Sequence, residues 1–280
     1  MQQLQVMTAT NTPPLFSFIA RKGGVGKSTC SALIARTYAA SGLRVAVVDC
    51  DPQGTTTNAL LRKEDIDGSR VDEIGKAMRQ GDSLQPFLQS TVQDGLSIVP
   101  AQEVLTVHAE VLGGDKLGVF KVKQSLESLV TARFDLVIVD TPGSYGVLTF
   151  GALAAARWAI VPTYCQKPSA AEVPKALKAI FEAQAVNPGL RLLAIIANKL
   201  DSRTRHELGV LETLRQAFPK ELVEPPIPSA TAITNAMAPN AVLETNNAGL
   251  SAIVQVAEEL LRRHAEACGR PVESELRRTG

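Results

Sequence analysis

The sequence lacks the cysteine and histidine spacing of a metal centre. Its four cysteines, Cys30, Cys50, Cys165 and Cys268, form no C-x-x-C pair, and its three histidines do not cluster. This argues against a zinc site, an iron–sulfur site or a disulfide framework, and fits a reducing compartment. Cys30 and Cys50 are expected to be small buried thiols. Charge of one sign is also scarce: 29 basic against 28 acidic side chains leave a net +1. No global field marks a nucleic-acid or membrane binder, so any such activity must come from a local patch. No basic stretch followed by an apolar core opens the chain, and no signal peptide is expected. The longest uncharged run, residues 141–156, is too short and too rich in turn residues to span a bilayer. The expectation is a cytoplasmic protein.

What is present is an alternation of short apolar runs with longer helical patterns. "LFSFIA" (15–20), "RVAVVD" (44–49), "LSIVP" (96–100), "DLVIVD" (135–140), "WAIVPT" (158–163) and "LLAIIAN" (192–198) read as strands apolar on both faces, as buried parallel strands are. Helical patterns fall near 28–41, 119–132, 168–185, 204–217 and 249–267, with a short one near 71–79 in an otherwise polar connection from 62 to 94. The implied fold is α/β, a mostly parallel central sheet with helices on both faces. Residues 1–14 read as a flexible leader, 15–268 as one domain and 269–280 as a flexible tail.

Between the first strand and the first helix stands Gly23-Gly24-Val25-Gly26-Lys27-Ser28-Thr29. Glycines let backbone N–H groups close around phosphate oxygens, and a helix N-terminus adds a favourable dipole. Lys27 is placed to neutralise the β- and γ-phosphates, and the Ser28 hydroxyl to ligate magnesium. The sequence therefore predicts nucleoside triphosphate binding. At the end of a buried strand, Asp49 and Asp51 project to one face, and two adjacent carboxylates repel unless a cation or proton lies between them. A third acid, Asp140, ends another apolar strand in the manner of a Walker B aspartate and would hold magnesium through water.

"KGGVGKST", with its additional Lys22, resembles the deviant Walker-A loop of the ParA/MinD class of P-loop NTPases, and "DCDPQG" is similar to that family's second motif. The resemblance covers the chain from about residue 15 to the last helix. It implies that Lys22 crosses a dimer interface to the partner's phosphates, that Asp49 serves magnesium and that Asp51 orients the attacking water. It makes Thr141-Pro142-Gly143 a switch segment sensing the γ-phosphate, although Gly143 replaces a usual proline and should loosen the loop. It places Asn198 against adenine, so ATP with Mg2+ is expected; "NKLD" (198–201) nearly spells a GTPase base-reading pattern, which leaves GTP as the lesser alternative.

Within this class, ParA-like members dimerise on ATP, bind DNA without sequence preference and are released by a ParB-like adaptor that stimulates hydrolysis. The resemblance thus implies a nucleoid-associated ATPase that segregates a plasmid, chromosome or other cargo. Arg203 matches a family arginine implicated in DNA contact, with Arg205 and Lys199 near it. Where chromosomal relatives carry two arginines in "IPRNVRL", this chain has Ser229 and Ala232, and Arg262, Arg263, Arg215 and Lys220 are candidate replacements. The alternative is a MinD-like membrane-associated regulator, but Pro271 and several acids interrupt a C-terminal amphipathic anchor. A metal-cluster carrier and a small-molecule kinase are weaker alternatives, since there is no C-x-x-C and no apparent acceptor lid.

Overall fold

The computed structural model describes residues 12–131, 133–243 and 246–269. Most of the expected leader and tail lie outside these residues.

Hydrophobic alternation explains the architecture. Along β1 (Leu15–Phe18), Phe16 and Phe18 enter one core while Leu15 enters the other, because successive strand side chains point to opposite faces. In β2 (Val45–Asp49), Val45 and Val47 join the phenylalanines, and Ala46 and Val48 face the opposite way. Of β5 (Leu136–Asp140), Leu136 and Ile138 take the first side and Val137 and Val139 the second. Both faces must then be covered, which is the condition for a buried parallel sheet.

The sheet has eight strands in the order β3-β4-β2-β5-β1-β6-β7-β8, where β3 is Gln89–Ser90, β4 is Leu96–Val99, β6 is Trp158–Tyr164, β7 is Arg191–Asn198 and β8 is Leu222–Val223. All pairings are parallel except the edge pair β3–β4. This is the expected fold class. The two short edge strands were not legible as apolar runs, because two residues carry no periodicity.

One face is covered by α1 (Lys27–Ala40), α2 (Thr55–Leu60), α10 (Thr231–Asn235) and α11 (Ala248–Ala267). The other carries α3 (Gly68–Gln80), α4 (Leu105–Gly114), α5 (Gly118–Glu127), α6 (Val147–Ala155), α7 (Lys167–Ala170), α8 (Val173–Ala183) and α9 (Arg205–Ala217). The region from 62 to 94 is more ordered than its polarity implies. Asp67 accepts from the Ser69 amide and caps α3, which buries Val71, Ile74 and Met78. The expected helix near 168–185 is two helices, broken by a turn at Ala171 and Glu172. α11 is pinned by its own polar groups: Trp158 Nε1 donates to His264 Nδ1 at 2.9 Å, and Tyr38 Oη donates to the Ala257 carbonyl at 2.8 Å.

The central strands finish at one edge of the sheet. The phosphate loop leaves β1, while Asp49, Asp140 and Asn198 are the last residues of β2, β5 and β7. Open parallel sheets bind ligands at the carboxyl ends of their strands.

Candidate nucleotide site

Sheet register brings the first two carboxylates together. Asp49 stands directly opposite Asp140 on adjacent parallel strands, and both are buried. Asp49 Oδ2 accepts from the Thr57 amide and hydroxyl, each at 2.8 Å, and Oδ1 accepts from the Asp51 amide at 3.0 Å. Asp140 Oδ2 accepts from the Thr56 hydroxyl at 2.7 Å. Burial, and next the charge of Asp140, push the Asp49 carboxyl up to about 7; the hydrogen bonds from Thr57 and Asp51 pull the other way.

Into this acidic group projects Lys27, itself buried, with Nζ 3.5 Å from Asp51 Oδ2 and 3.5 Å from Asp140 Oδ1. One ammonium against Asp49, Asp51 and Asp140 leaves negative charge that a hard divalent cation suits. Among the described residues no three His, Cys, Asp or Glu side chains form a protein-only metal cage. Magnesium keeps several waters and shares substrate phosphates. The residues present, Ser28, Asp49 and Asp140, therefore fit a magnesium ion bound together with phosphate.

The loop above is shaped by its glycines. Gly24 and Gly26 hold φ of 81° and 88°, in the left-handed region, and Gly26 caps α1 without any side-chain cap. The first amides of α1 are thus left for a phosphate. Ser28 and Thr29 sit half-buried on that first turn, while Gly23 and Gly24 are exposed and Val25 is buried.

Asn198 has a role that sequence reasoning did not supply. Its Nδ2 donates to the Val25 carbonyl at 3.0 Å, and its Oδ1 accepts from the Lys199 amide at 2.9 Å. A Cβ on Gly26 would lie 1.9 Å from Asn198 Nδ2, so the glycine is needed for this close approach as well as for its φ. Asn198 braces the loop from beneath. The fourth residue of "NKLD", Asp201, is bound to Arg203, which donates Nε to Oδ1 at 2.9 Å and Nη2 to Oδ2 at 3.0 Å.

Lys22 is the other side chain whose position matters. Its Nζ donates to the hydroxyl of Ser169, a buried residue of α7, at 3.0 Å. The switch residue Thr141 donates its hydroxyl to the Phe18 carbonyl at 2.8 Å. A Cβ on Gly143 would meet Arg21 and Gly23 at ordinary contact distance, so the two loops run side by side. Thr56, Thr57 and Ser169 were not singled out from the sequence. The signal for the threonines was the hydroxyl run "TTT" directly after the acidic motif; Ser169 carried none.

The basic residues considered for DNA are placed unequally. Arg205 opens α9 and is exposed. Arg203 is 88% exposed but held by Asp201. Arg262 donates to both Glu259 oxygens at 2.6 Å and also pairs with Glu266. Arg263 turns inward: its guanidinium donates to the carbonyls of Leu193, Glu221 and Leu222 at 3.2, 2.8 and 3.0 Å and to Glu259 at 2.7 Å. It ties α11 to the β7–β8 edge, so it corrects the expectation of a surface phosphate contact. Arg215 is bonded to Glu224 at 2.7 Å.

Comparison with known proteins places this geometry in context. A family model described as AAA domain matches residues 15–192. The chromosome-partitioning ATPase Soj of Thermus thermophilus is 31% identical, across 88% of this chain and 95% of its own. The chromosome partitioning protein ParA of Myxococcus xanthus is 29% identical, across 87% of this chain and 86% of its own. A solved structure of cobyrinic acid a,c-diamide synthase from Mycobacterium smegmatis, with a bound ATP analogue and magnesium, is 29% identical. It has a TM-score of 0.75 and covers 92% of this chain and 97% of that one.

Proposed function

This chain belongs to the ParA-type P-loop ATPases, and from that premise we propose that it is an ATP-dependent partition or positioning ATPase. It dimerises on ATP, binds DNA without sequence preference and is released by a ParB-like adaptor that stimulates hydrolysis. The observation that carries the reading is Lys27 held 3.5 Å from both Asp51 and Asp140 beneath a left-handed glycine loop.

The residues divide the work as follows. The α1 amides and Lys27 grip the phosphates, and Lys27 exchanges its carboxylate partners for phosphate oxygens. Magnesium, when bound, supplies positive charge against the β- and γ-phosphate oxygens, with Ser28, Asp49 and Asp140 as its holders. Asp51 is partly exposed at the mouth of the site and orients the attacking water. Asn198 keeps the loop in its receptive shape and, as the family resemblance implies, favours adenine; Asp201 is committed to Arg203. Lys22 leaves Ser169 and reaches across a twofold interface to a second chain's phosphates, where its charge counts only in the closed dimer. ATP binding and dimerisation are therefore one equilibrium, and hydrolysis reverses it.

DNA contact rests on Arg203 and Arg205, reading phosphates and not bases. Nucleoid association follows from it. For the membrane alternative, no helix among the described residues is long and apolar enough to cross a bilayer. The apolar face of α11, with Leu250, Ile253, Val256 and Leu260, is already packed in the core.

The test is Asp51→Ala examined by light scattering. The variant should lose turnover and accumulate as an ATP-bound dimer; a monomer at saturating Mg-ATP overturns the sandwich. Mobility shifts with random duplex DNA, under ATP, ADP and no nucleotide, test the second half of the cycle.

A further inference from the structure

Two adjacent hydroxyls in the first turn of α2 each hold one of the opposed carboxylates Asp49 and Asp140. Both threonines are fully buried. Thr57 turns to β2: its amide and hydroxyl donate to Asp49 Oδ2 at 2.8 Å, and the same hydroxyl accepts from the Ala101 amide at 2.9 Å. It thereby fixes α2 to β2 and to the chain that follows β4.

Thr56 turns the other way. Its hydroxyl lies 2.7 Å from Asp140 Oδ2 and 3.4 Å from the Ser28 carbonyl. A threonine hydroxyl has one proton to give, and the nearer acceptor takes it. That bond decides which oxygen of Asp140 faces the phosphate loop. Oδ2 is occupied by Thr56, whereas Oδ1 lies 3.5 Å from Lys27 Nζ. Ser31 Oγ is 3.4 Å from the same Oδ1, but its proton goes to the Lys27 carbonyl at 2.9 Å. The terminal torsion of an aspartate is broad and nearly twofold, so a carboxylate with no anchor on one oxygen can swing. Thr56 removes that freedom.

The anchor comes from the chain that carries Asp51. Between Asp51 and Thr56 the backbone makes one tight turn, in which Gly54 holds a φ of 63° and its amide donates to the Asp51 carbonyl at 2.9 Å. One hydroxyl therefore links the loop of Asp51 to the end of β5, beside the backbone of Ser28.

We propose that Thr56 is a positioning residue for the magnesium-bound nucleotide. Its hydroxyl sets the Asp140 carboxylate with Oδ1 toward the phosphates and ties that orientation to the loop of Asp51. This inference rests on the nucleotide and magnesium reading above and adds a residue to it. A threonine that served packing alone would be replaceable by valine, which has the same shape, at no cost to the metal.

The experiment uses the full chain and a fluorescent, non-hydrolysable ATP analogue, titrated in chelator and over a range of Mg2+ concentrations. Thr56→Val should leave the affinity in chelator unchanged and raise the Mg2+ concentration for half-maximal enhancement by about tenfold, the lower end of the usual loss when an outer hydrogen bond to a metal ligand is removed. Thr56→Ser, which keeps the hydroxyl, should restore the native midpoint. Thr56→Ala makes the same deletion without placing a methyl group against the carboxylate, and carries the test if circular dichroism shows the valine variant unfolded. An unchanged Mg2+ midpoint in the folded deletion variants overturns the proposal. So does an equal fall in affinity with and without the metal, or a serine variant that behaves like valine, since either makes Thr56 a packing residue. The unmodified chain separates the two levels: binding indifferent to Mg2+ refutes the magnesium reading, whereas normal Mg2+ enhancement that Thr56→Val leaves intact refutes only the role of Thr56.

Discussion

Lys22 and Ser169 are joined by a 3.0 Å hydrogen bond that holds the proposed trans-acting amine against its own subunit. In the proposed cycle Nζ leaves Ser169 to reach a second chain's phosphate, so the bond opposes dimerisation. A net hydrogen bond of this kind contributes about 1 kcal/mol, or roughly fivefold in an equilibrium. Ser169→Ala should therefore lower the ATP concentration for half-maximal dimerisation by about that factor. Lys22→Ala should abolish the dimer. Light scattering across an ATP titration measures both, and an unchanged midpoint for Ser169→Ala would show that the resting bond restrains nothing.

Asp49 supplies a pH dependence with a definite sign. Burial, and next the charge of Asp140, push its folded carboxyl up to about 7, against an ordinary value of 3.8. Between those values the native state binds more protons than the unfolded state, so stability from this group is full below the lower value. It is lost as pH rises through the upper one. In chelator and without nucleotide, the midpoint of thermal unfolding should fall between pH 6 and 8 more steeply for the native chain than for Asp49→Asn. Parallel profiles would remove Asp49 as the titrating group.

The sequence made the nucleotide site legible because its parts are local. A strand, a glycine loop and a helix start are contiguous, and the i, i+2 spacing of Asp49 and Asp51 needs only an extended chain. That Asp49 meets Asp140 was not legible, since it depends on β2 and β5 being neighbours in register. Ser169 was hidden for the same reason: nothing local distinguishes a serine that meets Lys22 from a solvated one. The surface arginines were misleading in another way. Arg263 reads as a free cation, yet three backbone carbonyls from two separate segments, Leu193 and Glu221–Leu222, converge on it. The helices α4 and α6 were missed because their sequences, "LTVHAEVLGG" and "VLTFGALAA", lack a polar face to mark a 3.6-residue period.

The brace beneath the phosphate loop predicts a loss of affinity without loss of fold. Asn198→Ala removes the donor to the Val25 carbonyl and leaves that acceptor buried, at a cost of about 1–3 kcal/mol. Part of that cost falls on the receptive loop shape, so ATP affinity should drop by about tenfold. Gly26→Ala should be more severe, because the methyl group would overlap Asn198 and strain a φ of 88°. Equilibrium binding of a fluorescent ATP analogue, with circular dichroism as the control for folding, tests both. Full affinity in Asn198→Ala would mean the loop holds its shape unaided.

Arg203 and Asp201 set the strength of the proposed DNA contact. The carboxylate holds both ends of the guanidinium, at 2.9 and 3.0 Å, and draws it away from phosphate. The pair is exposed, so its intrinsic worth is small, and phosphate can compete for the arginine at low salt. Removing the acid should then strengthen binding where removing the base weakens it. Asp201→Asn should raise affinity for random duplex DNA in the ATP state by severalfold, and Arg203→Glu should lower it. Arg203→Ala should flatten the plot of log affinity against log salt by about 0.9, the loss of one phosphate contact. Arg262→Ala should change little, because Glu259 and Glu266 already surround that side chain. Anisotropy titrations over a range of salt concentrations read all four variants. If Asp201→Asn binds DNA no better than the native chain, Arg203 lies outside the DNA-binding face and the contact must be sought around Arg205.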